Sequence, residues 1–266
     1  LAAWRNGELT MRRRVLNGLM AGAVLVLAAC SSMSTEPDGK VLLVIGATGG
    51  TGEQVVTQAL RQGYRVRALV RNEPRARDLL GDKVRLFVGD VRDPSSMAAA
   101  FRGADYVISA LGSNSRRDPE NKPELIDYGG TKAIAELAKS AGVQQLVVVS
   151  SMGVTDPDHS LNRLLDNIMV WKLRGEDAVR ASGIRYTIVR PSGLSADPGG
   201  VHGVRATQND PKGVFAQIPR ADVAAACLAA LGRRAAYNTT FEIMGDPDAS
   251  SVNWDTLFAG LRADGG

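Results

Sequence analysis

The chain has 266 residues, of which 44% are apolar, 23% charged and 5% aromatic, a composition that excludes a disordered chain, a collagen and a multi-span membrane protein. A chain of this length buries a full core in one large or two small domains without staples, and its two cysteines make no disulfide framework. The net charge of +4 does not mark a nucleic-acid binder, because Arg5, Arg12, Arg13 and Arg14 against Glu8 place +3 of it in the first 29 residues.

From Met11 that leader reads as three arginines, an apolar stretch over 15–29 and small residues ahead of Cys30, the three-part layout of a secretory signal. The stretch is shorter than the roughly 20 residues of a spanning helix, so cleavage is the expectation. Leu27-Ala28-Ala29-Cys30 resembles the lipobox of bacterial lipoproteins. The resemblance implies lipid on Cys30 and a domain anchored to a membrane on the periplasmic side; a wrongly chosen start upstream of Met11 would instead leave it cytoplasmic. Residues 31–40 are small and polar and read as a tether.

The domain proper begins with residues 40–45, a short apolar run rich in β-branched side chains, as expected of a strand buried on both faces. Strands follow near 65–70, 84–88, 106–109, 146–149 and 185–189, separated by helical patterns near 53–62, 75–80, 94–101, 124–141 and 161–182. Six strands in this rhythm predict an α/β fold, a Rossmann-type doubly wound parallel sheet. Beyond about 195 the chain turns rich in Gly, Pro and Asp, then offers a helix near 221–231, a strand near 240–244 and a last helix near 254–261. These read as a small substrate-side cap, giving a leader at 1–29, a tether at 30–39 and one domain at 40–266.

Gly46-Ala47-Thr48-Gly49-Gly50-Thr51-Gly52 sits between the first strand and its helix, where glycines let the main chain approach a pyrophosphate held on the helix N-terminus. Gly46, Thr48, Gly49, Gly50, Thr51 and Gly52 are therefore candidate dinucleotide ligands. The second strand ends in Val70-Arg71-Asn72 with no acid at its tip. An arginine there suits a 2′-phosphate, so Arg71 favours NADP(H), with NAD(H) second. Asp90 and Val91 close the third strand, where they would reach the adenine, and Ala110, Leu111 and Gly112 follow the fourth, where the backbone would pass under the cofactor.

These segments, with VVVSSMGV at 147–154, WKLRGEDAVRASGIRYTIVRPSGL at 171–194 and IPRADVAAACLAAL at 218–231, resemble the short-chain dehydrogenase/reductase superfamily, in its atypical NmrA-like NAD(P)-binding branch. The resemblance implies NADP(H) with Pro191 and Leu194 beside the nicotinamide, and Ser150, Ser151 and Lys172 as the catalytic group. The superfamily's reductases use a Tyr-x-x-x-Lys pair. Lys172 matches the lysine, but Ile168 occupies the tyrosine position, while Tyr128 and Lys132 have the spacing on the wrong helix.

Without that acid the expected activity is hydride transfer to a small-molecule planar acceptor of flavin, quinone or tetrapyrrole type, which takes its proton from water. The alternative is a non-catalytic NADP(H)-binding redox sensor or assembly scaffold. Neither His159 nor His202 has a partner at zinc spacing, so no metal is expected, and Cys227 reads as a small core residue.

Overall fold

The computed structural model describes residues 39–116, 118–213 and 216–265. Seven parallel strands and one antiparallel strand make the main sheet: β1 (Val41–Ile45), β2 (Arg65–Val70), β3 (Arg85–Val88), β4 (Tyr106–Ser109), β5 (Gln145–Val149), β6 (Tyr186–Pro191), β8 (Gly203–Thr207) and β10 (Thr239–Asp246), in the order β3-β2-β1-β4-β5-β6-β10-β8. β7 (Gly193–Ser195) and β9 (Gln217–Pro219) form a separate parallel pair. The expected α/β Rossmann architecture is the observed one.

β1 lies at the centre and is buried along its whole length. Successive side chains of a strand face opposite ways, and its five apolar residues divide accordingly. Leu42 and Val44 join one core with Val55 and Val56 of α1 (Gly50–Arg61) and Val223 and Ala224 of α7 (Arg220–Ala230). Val41, Leu43 and Ile45 join the other with Met97 and Phe101 of α3 (Pro94–Phe101) and Ile134 of α4 (Thr131–Ser140). A strand covered by helices on both faces has no polar side to show, which is why its sequence does not alternate.

Strand order reverses between β1 and β4, which run side by side with Ile45 opposite Ser109. At such a switch point the two following loops part and leave a crevice beyond the carboxyl ends of the strands. The first loop leads into α1 and the second into a stretch ending at the π-helical turn Glu124–Gly130.

Three elements differ from the sequence expectation. The helix expected over 124–141 is the π-helical turn followed by α4. The helix expected over 161–182 is two, α5 (Ser160–Leu164) and α6 (Ile168–Ala181), parted where Asp166 and Asn167 adopt φ of 50° and 59°. The third concerns the cap: the strand assigned to it is β10, which pairs in parallel with β6 and carries β8 on its other edge. Left unpaired, β6 would expose a row of backbone donors and acceptors, and β10 covers them. α7 packs on α1, with Gln58 Nε2 donating to Ala221 O at 2.8 Å. The last helix is α8 (Trp254–Ala259), which places Phe258 edge-on to Phe241 of β10.

Candidate active site

The glycine loop is shaped for close approach. Gly46 has φ +79°, and a β-carbon there would lie 2.5 Å from Ala110 O, so the loops after β1 and β4 touch through backbone alone. A β-carbon on Gly52 would collide with Gly46 O. Gly49 N donates back to Gly46 O at 3.0 Å, while Thr48, Gly49 and Gly50 face solvent at the first turn of α1. A surface of this kind offers free N–H groups and a positive helix end to an anion.

A cavity of about 430 Å³ opens from this loop across the switch point. It collects Gly46, Thr48, Gly49, Arg71, Asp90, Val91, Ala110, Leu111 and Gly112, nine of the residues singled out from the sequence, together with Asn72, Arg75, Asn114, Asp118 and Asn121. Gly50, Thr51 and Gly52 stand apart from it in the first turn of α1. Asn72 caps α2 (Glu73–Leu80) by accepting from Arg75 N at 3.0 Å, and this cap brings Arg71 and Arg75 to one end of the cavity. Arg71 is not idle there: its Nη1 lies 3.5 Å from Asp118 Oδ2. Arg92 donates to both oxygens of Asp90, at 2.7 Å from Nη2 and 3.0 Å from Nε, and holds that carboxyl below the usual range.

The residues read as catalytic lie elsewhere. Lys172, Ser150, Ser109 and Asp127 border a second cavity of about 10 Å³, close to the least that holds one water, and Leu111 lines both cavities. Lys172 Nζ forms an ion pair with Asp127 Oδ1 at 2.7 Å, and the Asp127 side chain is 1% exposed. Among the described residues, Ser109 Oγ and Ser150 Oγ have no hydrogen-bond partner. Ser151 Oγ donates to Met152 O. Pro191 is buried at the end of β6, and Leu194 is exposed on β7. Tyr128 stacks on Trp171 with centroids 6.1 Å apart while Lys132 pairs with Glu136, so these two do not act as one unit.

The serine loop after β5 is fixed by buried charge. Asp210 accepts from Gly153 N at 2.6 Å and from Thr155 N and Oγ1 at 2.9 and 2.6 Å. Burial pushes the Asp210 carboxyl up, but those bonds and the nearby Arg190 outweigh it and hold it below the usual carboxylate range. Arg190 in turn forks onto Glu176 of α6 at 3.0 and 2.6 Å and reaches Glu242 of β10 at 3.1 Å. Arg190 therefore points into the core and lines neither cavity itself, although its partner Glu176 borders the second. Cys227 is fully buried in α7, where burial pushes its thiol up to about 12.

Sequence reasoning missed Asp127, Arg75, Asp118 and the place of Arg220. Arg220 begins α7 and lays its stem over Gly50, its Cδ 2.8 Å from where a β-carbon would be, with Nη1 donating to Ser195 O at 3.0 Å. A signal for Asp127 did exist in Gly175, a glycine inside α6 where an alanine would cost the helix less. A β-carbon at Gly175 would collide with Asp127 O.

Residues 46–234 match a protein family described as NAD(P)H-binding. Sanguinarine reductase of Eschscholzia californica is 31% identical over 247 residues, covering 78% of this chain and 89% of that protein. Among solved structures, a putative NAD-dependent epimerase/dehydratase from Bacillus halodurans is 25% identical at a TM-score of 0.73, over 84% of this chain and all of the other. ChuY, an anaerobillin reductase from Escherichia coli O157:H7, is 26% identical at a TM-score of 0.64, over 77% and 97%. One expectation is corrected here. Relatives from Arabidopsis thaliana and Pisum sativum carry chloroplastic names, so the lipid-anchored periplasmic address does not stand. The leader and Cys30 on which it rested lie outside the described residues, and among those no helix is long and apolar enough to cross a membrane.

Proposed function

Because the chain belongs to the NAD(P)H-binding family of Rossmann-type epimerases and reductases, we propose that it is an NADP(H)-dependent reductase acting on a planar small molecule. The observation that carries the cofactor reading is the cavity itself, a glycine cradle with no room for side chains at one end and two arginines, Arg71 and Arg75, at the other. The N–H groups at the start of α1 suit a pyrophosphate, and Arg220 adds positive charge above Gly50. Arg71 suits a 2′-phosphate, for which it would exchange Asp118.

When bound, the reduced cofactor supplies a hydride. The chain's part is to orient it and to manage protons. Ile168 stands where a tyrosine acid would be, so the acceptor takes its proton from solvent, which fits a flavin, quinone or linear tetrapyrrole better than a simple ketone. Lys172, paired with Asp127, serves the nicotinamide end with Ser150 and Ser151. That two relatives are named as reductases, of sanguinarine and of anaerobillin, supports this direction.

The test is a panel of flavins, quinones and linear tetrapyrroles offered to the protein with NADPH, following NADPH oxidation. Turnover with at least one acceptor is expected. NADPH binding without turnover on any of them would favour a sensor or scaffold, the reading supported by the engagement of Lys172 with Asp127.

A further inference from the structure

The Asp90 carboxylate, expected from the sequence to read the adenine, is held on both oxygens by Arg92. Its Oδ1 accepts from Arg92 N at 2.9 Å and from Nε at 3.0 Å, and its Oδ2 from Nη2 at 2.7 Å. The same arginine ties the end of β3 to the segment after β4, its Nη1 donating to Glu120 O at 3.3 Å. That contact places the next residue, Asn121, at the Asp90–Val91 end of the cavity.

Asn121 lines the cavity and is 8% exposed. Its backbone N–H donates to Asp118 O at 2.8 Å, but its side-chain Oδ1 has no donor among the described residues. A buried amide oxygen without a donor costs free energy that a ligand donor recovers. The wall beside it is apolar, with Leu69, Val91 and Ile126. An apolar slot with one unmet acceptor at its edge suits a flat heterocycle bearing an exocyclic amine.

Resting on the dinucleotide reading above, we propose that Asn121 is the residue that selects adenine, accepting a hydrogen bond from its exocyclic amino group in place of Asp90. Asn121 belongs to the segment that also carries Asp118, so base recognition and the partner of Arg71 sit three residues apart. Selection of the base and release of Arg71 for a 2′-phosphate are then properties of one loop.

The experiment compares NADP⁺ with its hypoxanthine analogue, which has a carbonyl where adenine has the amine, by titration calorimetry on the full chain. Wild type is expected to bind NADP⁺ about tenfold more tightly, the equivalent of one hydrogen bond of about 1.4 kcal/mol. Asn121→Leu should lose that preference by weakening NADP⁺ about tenfold while binding the analogue as wild type does, which also reports that it is folded. Asn121→Ala, which cannot crowd the wall, should behave the same way and decides the matter if the leucine variant binds neither ligand. A variant that keeps the wild-type preference, or weakens both ligands equally, overturns the proposal, as does a wild type that binds both equally. A wild type that binds neither overturns the dinucleotide reading itself.

Discussion

The two halves of the sheet are held together by different means. Around β1, β2 and β4 the binding surface is made of backbone, with glycines at contact distance and charged side chains only at the rim of an open cavity. Around β5, β6 and β10 the interior is wired by side chains, with Arg190, Glu176, Glu242 and Asp210 all at least nine-tenths buried and bonded to one another. The first half has its polar ties at the far ends of its strands, where Asp105 accepts from Lys40 Nζ and Val41 N and Arg67 donates to Ala100 O. The second half uses its charge to fix the loop that carries Ser150 and Ser151.

Breaking the wired half should give the largest effect. Arg190→Ala strands Glu176 and Glu242 as uncompensated buried carboxylates, a loss of about 3 to 5 kcal/mol, and thermal denaturation should show a large fall in Tm with no specific change in nucleotide affinity per folded molecule. A small fall would mean that water reaches the network.

Gly46→Ala attacks the other half. Its positive φ and the 2.5 Å approach to Ala110 O leave no room for a methyl group, and strain at such a position costs about 1 to 3 kcal/mol. The loops after β1 and β4 should move apart and NADPH binding should fall roughly a hundredfold, about 2.7 kcal/mol, with a smaller loss of stability than for Arg190→Ala.

This contrast also marks what the sequence could and could not disclose. The parallel sheet, β1 and the glycine loop are local patterns, an apolar run followed at once by Gly46 to Gly52, and local patterns survive in one dimension. The cavity could be anticipated residue by residue because it is built at strand ends that chain order already lines up. The partners could not: Asp127 meets Lys172 only because the 124–130 segment winds as a π-helical turn, Asp118 meets Arg71 from a segment between β4 and that turn, and β10 joins the main sheet through a pairing some fifty residues long, between Thr187 and Thr239. Each is a contact between distant segments, set by packing and not by the propensity of either one.

A pH series sharpens the comparison further. Asp210 is held below the ordinary carboxylate value of about 3.9, so its contribution is complete above that pH and is lost as the pH falls through the lower folded value. Wild type should lose stability over that acid window more steeply than Asp210→Asn, which should already be weaker at neutral pH. Parallel acid profiles for the two proteins would show that Asp210 is not bonded as described.

Smallest is the effect of Asp118→Asn, which removes the carboxylate competing for Arg71. An exposed pair is worth about 0.2 to 1 kcal/mol, so NADPH should bind up to about fivefold more tightly, with no change for NADH.

The central claim is that the backbone-built cavity takes NADP(H) through Arg71, and its most direct measurement is calorimetric titration of wild type and Arg71→Ala with NADPH and NADH at low and high salt. A charge-assisted hydrogen bond of about 1.5 to 3 kcal/mol predicts that Arg71→Ala weakens NADPH roughly 10- to 150-fold, leaves NADH almost unchanged, and shows a smaller gap at high salt because Arg71 is about half exposed. Equal losses for the two cofactors, or none for either, would contradict the account.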